Sequence, residues 1–316
     1  MIRDLAFLFP GQGSQRAGML SEAAARFPVV AATFSEASDA LDFDLWELIK
    51  SGDATALNLT ENTQPALLVS SVALWRVWKE QGGAIPAAMA GHSLGEFSAL
   101  CCAGALGLAD AAKLVRARGQ FMQTAVPLGE GAMAAILGLG DEQVLAICDQ
   151  VAAAEDTVVQ AVNFNAPGQV VIAGRKDAVD IAIEKLKGAG AKRVMPLPVS
   201  APFHTSLMTP AGERLREVLD GLELSTPGIA VLHNVHGQSE TDPSRIRELL
   251  VEQIASPVRW TFCVAKLRER GASAFVECGP GKVLGGLLRR IEKSLPCHYL
   301  EDPDALLAAQ ADLADR

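Results

Sequence analysis

A serine between two glycines gives this chain its clearest chemical signal. The pentapeptide Gly91-His92-Ser93-Leu94-Gly95 lies between an apolar run, residues 86–90, and a helix-like run, residues 96–102. Glycines on both sides of a serine allow a sharp strand-to-helix turn that exposes the hydroxyl next to the first amides of the helix. The sequence therefore predicts a nucleophilic Ser93, and an amide at Leu94 that can stabilise an oxyanion.

A serine hydroxyl is a weak nucleophile at its own pKa and needs a base. His204 follows a proline-containing turn at residues 200–203 and is predicted to open a helix, which would fix its ring in place. This context favours a general base that later acts as general acid; local hydrogen bonding is the alternative. His92 should point away from the turn and is predicted to be a supporting hydrogen-bonding residue, and His298 has no motif around it.

The partner that would orient His204 is not evident from the residues. Hydrolases with this serine turn carry an acidic residue between the serine and the histidine. Six aspartates have suitable positions, but all lie in helical or exposed-looking segments: Asp110, Asp141, Asp149, Asp156, Asp177 and Asp180. The residues alone leave this partner open.

Other motifs point away from metals and cofactors. Gly11 and Gly13 follow an apolar run as in dinucleotide-binding folds, but Arg16 stands where the third glycine is needed. The six cysteines contain no Cys-x-x-Cys pair, and His233 and His236 have no third ligand nearby in sequence. We predict no metal site and no cofactor.

The composition is that of an ordinary globular protein. Of 316 residues, 49% are hydrophobic and 21% are charged, and the formal net charge of −9 argues against nucleic acid as a general partner. No apolar run of transmembrane length is free of polar residues, and the apolar run at residues 5–9 is too short for a signal peptide. We expect a cytoplasmic protein with no membrane partner.

Alternating strand and helix patterns predict a parallel sheet covered by helices. Residues 5–9 are predicted to form a buried strand, residues 65–81 a helix capped by Thr63, and residues 109–124 a further helix. Residues 130–199 instead show the order strand, helix, strand, strand, helix, strand, which is typical of a ferredoxin-like domain.

The predicted fold class is therefore α/β, with a large α/β-hydrolase-like body containing a parallel sheet, interrupted by a small ferredoxin-like (βαββαβ) domain. We place the large catalytic domain at residues 1–128 and 199–316 and the inserted domain at residues 129–198. Since Ser93 belongs to the first and His204 follows the second, the active site is expected in the cleft between them.

Five motifs in this order and spacing resemble the acyltransferase family of fatty acid and polyketide synthesis. They lie at residues 7–15, 91–95, 200–204, 251–258 and 277–281. The resemblance runs from about Leu5 to about Ile291 and so covers nearly the whole chain. No single motif is specific, but five in register are hard to obtain otherwise.

The resemblance implies a ping-pong transfer of a malonyl group from malonyl-CoA to the phosphopantetheine thiol of acyl carrier protein, through malonyl-Ser93 and without a cofactor. It implies His204 as the base and the main-chain carbonyl of Gln253 as its partner in place of an acid. It also implies that the amides of Gln12 and Leu94 form the oxyanion hole.

Arg118 matches the family's arginine that pairs with the free carboxylate of the malonyl group. A guanidinium offers two parallel hydrogen bonds to one carboxylate, which a lysine cannot copy. Asn163 and Asn165 match polar positions that line the cleft, with a role as turn residues as the alternative. The candidate substrate-binding residues are thus Arg118, His92, Met122, Asn163, Asn165 and Phe203.

The implied carrier protein is acidic, so a chain of net charge −9 needs a local basic patch to bind it. Residues 282–293 carry four basic side chains against one acidic, and residues 175–193 carry six against three. We favour docking through Lys282, Arg289 and Arg290, with solvated helix faces as the alternative. We expect the protein to be a monomer.

Two rival functions stay open at this point. One is a serine thioesterase or esterase that uses the same serine turn, and the other is an acyltransferase-like subunit that binds carrier protein without turnover. The same transacylase chemistry could also serve polyketide synthesis or malonate decarboxylation.

Overall fold

The structure is a computed structural model that describes residues 2–199 and 201–314. The strands in these residues are β1 (Ile2–Phe9), β2 (Pro86–Gly91), β3 (Gly131–Leu137), β4 (Val159–Ala166), β5 (Gln169–Arg175), β6 (Arg193–Pro196), β7 (Ala230–Leu232), β8 (Ala274–Glu277) and β9 (Cys297–Tyr299). Met1, Ser200, Asp315 and Arg316 fall within the predicted large domain but lie outside the described residues.

Helices occupy most of the rest of the described chain. They are α1 (Ser21–Arg26), α2 (Pro28–Leu41), α3 (Leu45–Lys50), α4 (Ala54–Leu57), α5 (Thr60–Glu80), α6 (Leu94–Cys102), α7 (Leu108–Thr124), α8 (Asp141–Glu155), α9 (Lys176–Gly188), α10 (Thr209–Asp220), α11 (Pro243–Ile254), α12 (Trp260–Glu269), α13 (Val283–Ile291) and α14 (Pro303–Ala314), with a 3₁₀ turn at Ser206–Met208. No helix in the described residues has both the length and the apolar character needed to cross a membrane.

A five-stranded parallel sheet forms the centre of the larger body. Its strand order is β7-β2-β1-β8-β9, and all its pairings are parallel. Parallel strands require crossover connections, which the helices between them supply. In β1 the side chains from Leu5 to Phe9 are buried, and Phe7 packs edge-on against Trp75 and Trp78 of α5. The predicted α/β body with a parallel sheet is confirmed.

A four-stranded antiparallel sheet forms the smaller body, with strand order β4-β5-β3-β6. Its element order is β3, α8, β4, β5, α9, β6, so the predicted βαββαβ arrangement is also confirmed. Side chains alternate across the sheet: Ala134 and Ile136 pack under α8 and α9, whereas Met133 and Ala135 join the core of the larger body. The domain boundaries given above stay a prediction.

Backbone hydrogen bonds tie the two bodies together. The Phe164 amide donates to the Val258 carbonyl over 3.0 Å, and the Val258 amide donates to the Val162 carbonyl over 2.8 Å. Val258 lies five residues after Gln253, so β4 of the small sheet is paired with the segment that follows α11. These bonds fix one wall of the cleft against the other.

Some predicted boundaries were wrong. The helix expected to start at Pro65 starts at Thr60, so Pro65 lies inside it. Thr63 is not a cap, because its hydroxyl donates to the Leu57 carbonyl over 2.6 Å. A proline in this place removes one helical hydrogen bond, but α5 is buried along most of its length and tertiary packing overrides the local preference. The sequence also did not predict α1 to α4 or β9.

Candidate active site

Ser93 occupies the turn between β2 and α6 in a strained backbone conformation. Its φ is 51° and its ψ is −107°, a region that residues other than glycine seldom adopt. The flanking glycines are required by close approach: a Cβ on Gly91 would lie 1.8 Å from the carbonyl carbon of Gly95, and a Cβ on Gly95 would lie 2.0 Å from the Phe9 carbonyl oxygen. Glycine is therefore needed at both positions, because the backbones of β2, α6 and β1 approach one another too closely for a side chain.

A buried asparagine that the sequence did not reveal holds this turn. Asn234 follows β7; its Oδ1 accepts a hydrogen bond from the Ser93 amide over 2.7 Å, and its Nδ2 donates to the Gly91 carbonyl over 2.7 Å. The two bonds grip the backbone on both sides of the nucleophile. They offset part of the cost of the unfavourable Ser93 conformation.

Ser93 and His204 form a hydrogen-bonded pair. The Ser93 Oγ lies 2.7 Å from His204 Nε2, and His204 Nδ1 lies 3.0 Å from the main-chain oxygen of Gln253. A carbonyl can only accept, so Nδ1 carries the hydrogen and Nε2 is free to accept the serine proton. Both ring nitrogens are thus occupied, and none of the six candidate aspartates is the histidine's partner.

The position of His204 differs from the predicted one in a detail. It does not open a helix, because it lies in a turn two residues before Ser206–Met208 and has a φ of 65°. Gln253 lies in the last turn of α11, where carbonyl groups carry partial negative charge. Its carbonyl oxygen accepts from the Ser256 amide over 3.3 Å and has a second lone pair for the imidazole. This carbonyl is therefore well suited to fix the imidazole.

Burial and a neighbouring cation keep His204 neutral. Desolvation is the largest effect and lowers its pKa, the positive charge of Arg118 lowers it further, and the result is a pKa of about 3 instead of 6.5. The hydrogen bond that His204 Nδ1 donates to the Gln253 carbonyl raises the pKa of the ring, but its effect is smaller. At neutral pH the ring is therefore unprotonated and can act as a base.

Arg118 lies buried beside the nucleophile, with only 1% of its surface exposed. Its Nη2 donates to Ser93 Oγ over 3.2 Å and to Gln253 Oε1 over 2.9 Å, and its Nη1 donates to Gln64 Oε1 over 2.8 Å. Burial lowers the pKa of Arg118 to about 10, so the group stays charged at neutral pH.

The guanidinium has spare capacity for an anion. Its hydrogen-bond partners are two amide oxygens and a hydroxyl, its Cζ lies 5.1 Å from the centre of the Phe97 ring, and no carboxylate of the described residues forms an ion pair with it. Its Nε has no hydrogen-bond partner in the described part of the chain. A buried cation left in this state can bind a carboxylate from a ligand.

A buried carboxylate one turn beyond the serine was missed by the sequence reasoning. Glu96 has no exposed surface; its Oε1 lies 2.7 Å from His233 Nδ1, and its Oε2 accepts from the Asn234 amide over 2.9 Å and from Gln253 Nε2 over 2.8 Å. The only signal was its place next to the pentapeptide. His233 and His236 belong to no metal-ligating group of three or more side chains in the described residues.

The amides around Leu94 differ in availability. The Ser93 amide is bonded to Asn234, and the Gly95 and Glu96 amides are bonded to the carbonyls of His92 and Ser93 over 2.9 and 3.1 Å. The first amides of a helix have no acceptor within it, so the Leu94 amide is the one left for an oxyanion. Gln12 follows β1 and lines the same cavity as Leu94.

The predicted substrate-binding residues line one cavity of about 190 Å³ between the two bodies. His92 Nε2 lies 2.8 Å from Asn165 Oδ1, which makes a hydrogen bond across the cleft. The lining includes Gln12, His92, Ser93, Leu94, Arg118, Met122, Asn163, Asn165, Phe203 and His204. Gln253 lies behind the cavity wall and reaches the site through its hydrogen bonds.

The predicted docking residues lie outside this cavity. Arg289 and Arg290 are exposed at the last turn of α13, and Lys282 lies over the ring of Tyr299 at the start of that helix. A second, smaller cavity borders Gln12, His92 and Asn165 on one side and α13 on the other, so α13 stands beside the entrance to the cleft.

Comparison with known proteins gives concordant matches. A family model described as "Acyl transferase domain" matches residues 6–299. "Malonyl CoA-acyl carrier protein transacylase" of Salmonella typhimurium is 54% identical over 304 residues, which cover 96% of this chain and 98% of that protein.

Two solved structures are similar over nearly their whole lengths. The malonyl CoA-acyl carrier protein transacylase of Coxiella burnetii superposes with a TM-score of 0.97 at 44% identity, with 99% of this chain and 98% of that chain covered. A malonyl-transacylase in complex with a type II polyketide synthase acyl-carrier protein superposes with a TM-score of 0.96 at 50% identity, with 98% and 99% covered. Together with the family match over most of the sequence, these likenesses establish that the chain belongs to the acyl transferase family.

Proposed function

We propose that this protein transfers the malonyl group of malonyl-CoA to the phosphopantetheine thiol of acyl carrier protein, through a malonyl-Ser93 intermediate, and so supplies fatty acid synthesis. One observation carries the proposal: the guanidinium of Arg118 is buried 3.2 Å from Ser93 Oγ and has only neutral partners. Such a group selects an acyl chain that ends in a carboxylate. The names of the relatives and of the solved structures support the same substrate pair.

In the first half-reaction, Ser93 gives its proton to His204 Nε2 as its Oγ attacks the thioester carbonyl carbon. The amides of Leu94 and Gln12 stabilise the oxyanion. When the tetrahedral intermediate collapses, the carbon–sulfur bond breaks and the CoA sulfur takes the proton from His204. The acyl-enzyme waits with its carboxylate on Arg118.

The second half-reaction runs the same steps with a different thiol. The phosphopantetheine thiol gives its proton to His204 Nε2 and attacks malonyl-Ser93, and the Ser93 oxygen leaves with that proton. Ser93 and His204 handle every bond and proton, so the proposal needs no metal or redox cofactor. In this proposal the enzyme works in the cytoplasm as a monomer.

The rival thioesterase shares the nucleophile and the base but transfers the acyl group to water. Hydrolases with this serine turn orient the histidine with an acidic residue, whereas His204 Nδ1 is held by the neutral carbonyl of Gln253, and this argues against the thioesterase. The carrier-binding subunit without turnover is disfavoured because Ser93 and His204 lie 2.7 Å apart in a competent geometry.

Covalent loading tests the dyad directly. We expect Ser93→Ala to form no malonyl adduct, and His204→Ala to form it about 10²- to 10⁴-fold more slowly, because the hydroxyl then lacks its base. Intact mass spectrometry after rapid mixing with malonyl-CoA measures both, and circular dichroism checks the fold. Near-normal adduct formation by His204→Ala would refute the assignment.

The low pKa of His204 predicts an unusual pH profile. A histidine of ordinary pKa, about 6.5, would lose about tenfold of its neutral form between pH 7.5 and 5.5. With a pKa of about 3, the rate of adduct formation should stay nearly constant over that range. A tenfold decline over it, in protein that remains folded, would contradict the shift.

The lowered pKa of His204 also makes the stability of the fold depend on pH, and this dependence must be measured as a control for the rate profile. Between about pH 6.5 and 3 the unfolded ring binds a proton that the folded ring does not, so stability falls as the pH falls through this window. Circular dichroism at each pH therefore separates loss of the fold from loss of the base.

Arg118 should set acyl selectivity. Its replacement by alanine removes a charge-assisted pair with the malonyl carboxylate worth roughly 1.5–3 kcal/mol, about 10- to 150-fold. We expect Arg118→Ala to lose malonyl loading by that factor and to gain relative preference for acetyl-CoA. Arg116→Ala is the matched control, because Arg116 lies on the same helix but donates to the Leu41 carbonyl and stacks on Phe43. An unchanged malonyl-to-acetyl ratio in Arg118→Ala would mean that the residue is structural.

Carrier-protein docking should depend on α13. Arg289 and Arg290 make no ion pair within the described residues, whereas three basic residues of the 175–193 patch are paired: Arg175 with Glu130, Lys176 with Asp180 and Lys187 with Glu184. Free positive charge is therefore more concentrated at α13, close to the cleft entrance.

We expect Arg289→Glu/Arg290→Glu to weaken transfer to carrier protein at low salt while malonyl loading from CoA stays intact. The wild-type transfer rate should fall steeply with salt. Lys185→Glu/Lys187→Glu makes the same charge change on the other patch and is the control. If only that control loses transfer, carrier protein binds to the inserted domain instead.

A further inference from the structure

The buried carboxylate of Glu96 takes no part in the mechanism above. It nevertheless contacts the Gln253 side chain, which in turn contacts Arg118. Its Oε2 accepts from Gln253 Nε2 over 2.8 Å. The other end of that amide, Gln253 Oε1, accepts from Arg118 Nη2 over 2.9 Å. Glu96 and Arg118 thus meet through a single side-chain amide.

Chemistry allows only one orientation of that amide. An ionised carboxylate and a main-chain carbonyl can only accept hydrogen bonds, and a guanidinium can only donate them. Gln253 Nε2 therefore faces Glu96 Oε2 and, over 3.1 Å, the Ser93 carbonyl, while Oε1 faces Arg118. A flipped amide would set donor against donor at Arg118 and acceptor against acceptor at Glu96.

The indirect contact has a consequence for ligand binding. A carboxylate in direct contact with Arg118 would occupy the guanidinium and compete with a substrate carboxylate. Because the Gln253 amide stands between them, Arg118 is held by neutral groups and its Nε stays without a partner in the described residues. The Arg118 guanidinium is thereby held in a fixed orientation and remains available to bind a substrate carboxylate.

We propose that Glu96 is a positioning residue for acyl selectivity: it fixes the orientation of the Gln253 amide, which in turn holds Arg118 ready for the malonyl carboxylate. This inference rests on the proposed function, since it concerns the same acyl group. It assigns to Glu96 no contact with substrate.

The test compares two substitutions of Glu96 with different hydrogen-bonding capacity. Glu96→Met removes the acceptor, so the Gln253 amide is free to turn. Glu96→Gln retains one oxygen that accepts from Asn234 and Gln253, and its NH2 faces His233 Nδ1. That nitrogen can accept from the NH2 if the ring hydrogen moves to Nε2, which has no partner in the described residues. Only the first should disturb Arg118.

We expect Glu96→Met to lower the ratio of malonyl to acetyl loading, measured as kcat/KM by intact mass spectrometry, by about 10- to 100-fold. Glu96→Gln should keep that ratio at or above the wild-type value. Glu277→Met is the matched control: Glu277 is equally buried and accepts from the backbone amides of Leu284 and Gly285, so its loss should lower stability without changing the ratio.

A double variant tests whether Glu96 acts through Gln253. Gln253→Met keeps the main-chain carbonyl for His204 and should itself lower the ratio. Glu96→Met added to it should have little further effect, because coupled residues are not additive. A ratio within twofold of wild type in Glu96→Met, or effects that multiply in the double variant, would overturn the inference.

Two further arms keep the outcome decisive. If Glu96→Met does not fold, Glu96→Ala replaces it. The smaller side chain admits water, which both donates and accepts hydrogen bonds and so does not orient the Gln253 amide. The same malonyl-to-acetyl ratios then test the inference. Failure of wild-type protein to load malonyl at Ser93 would instead refute the proposed function, and is seen before any variant is compared.

Discussion

Gln253 joins the parts of the site in one residue at the end of α11. Its main-chain oxygen accepts from His204 Nδ1, its side-chain oxygen accepts from Arg118, and its side-chain nitrogen donates to Glu96 and to the Ser93 carbonyl. Nucleophile, base and cation are thus held by groups whose donor and acceptor roles cannot be exchanged. Because the amide is fully buried, leaving any of these bonds unmade would cost about 1–3 kcal/mol.

The site keeps two buried charges near each other without pairing them. Arg118 and Glu96 both lie away from solvent, and each is satisfied mainly by neutral hydrogen-bonding groups. Burial and, to a smaller extent, this positive charge keep His204 neutral, and the same charge supplies a binding site for an anion. The negative charge favours the charged form of Arg118. The base His204 and the anion-binding Arg118 therefore both depend on exclusion of solvent from the site.

The two bodies have separate tasks in this arrangement. The parallel sheet carries the strained serine turn and, through α11, the Gln253 carbonyl. The antiparallel sheet supplies the opposite wall, and the pairing of β4 with Val258 sets the distance between the walls. The hydrogen bond between His92 and Asn165 crosses the cleft itself. The cavity that contains Ser93, His204 and Arg118 lies between these two walls.

The sequence by itself determined the α/β body, the inserted βαββαβ unit and a serine turn at Gly91–Gly95, because hydrophobic periodicity and glycine placement are local properties of the chain. The family resemblance added Arg118 and Gln253 as candidates, which local pattern alone would not have separated from surface residues. The predicted start of α5 was wrong because Pro65, which usually stands in the first turn of a helix, lies inside this one. The packing of the buried helix outweighs that local preference.

Only the tertiary structure decided which groups hold the site together. Glu96 and Gln253 are 157 residues apart, and Asn234 and Ser93 are 141 apart. Nothing in the local sequence marks such pairs, because a buried polar residue becomes recognisable only when its partner and its burial are known. For the same reason the residues alone left the partner of His204 open among six aspartates. The family resemblance pointed to the Gln253 carbonyl, and the fold brings the end of α11 against the histidine ring.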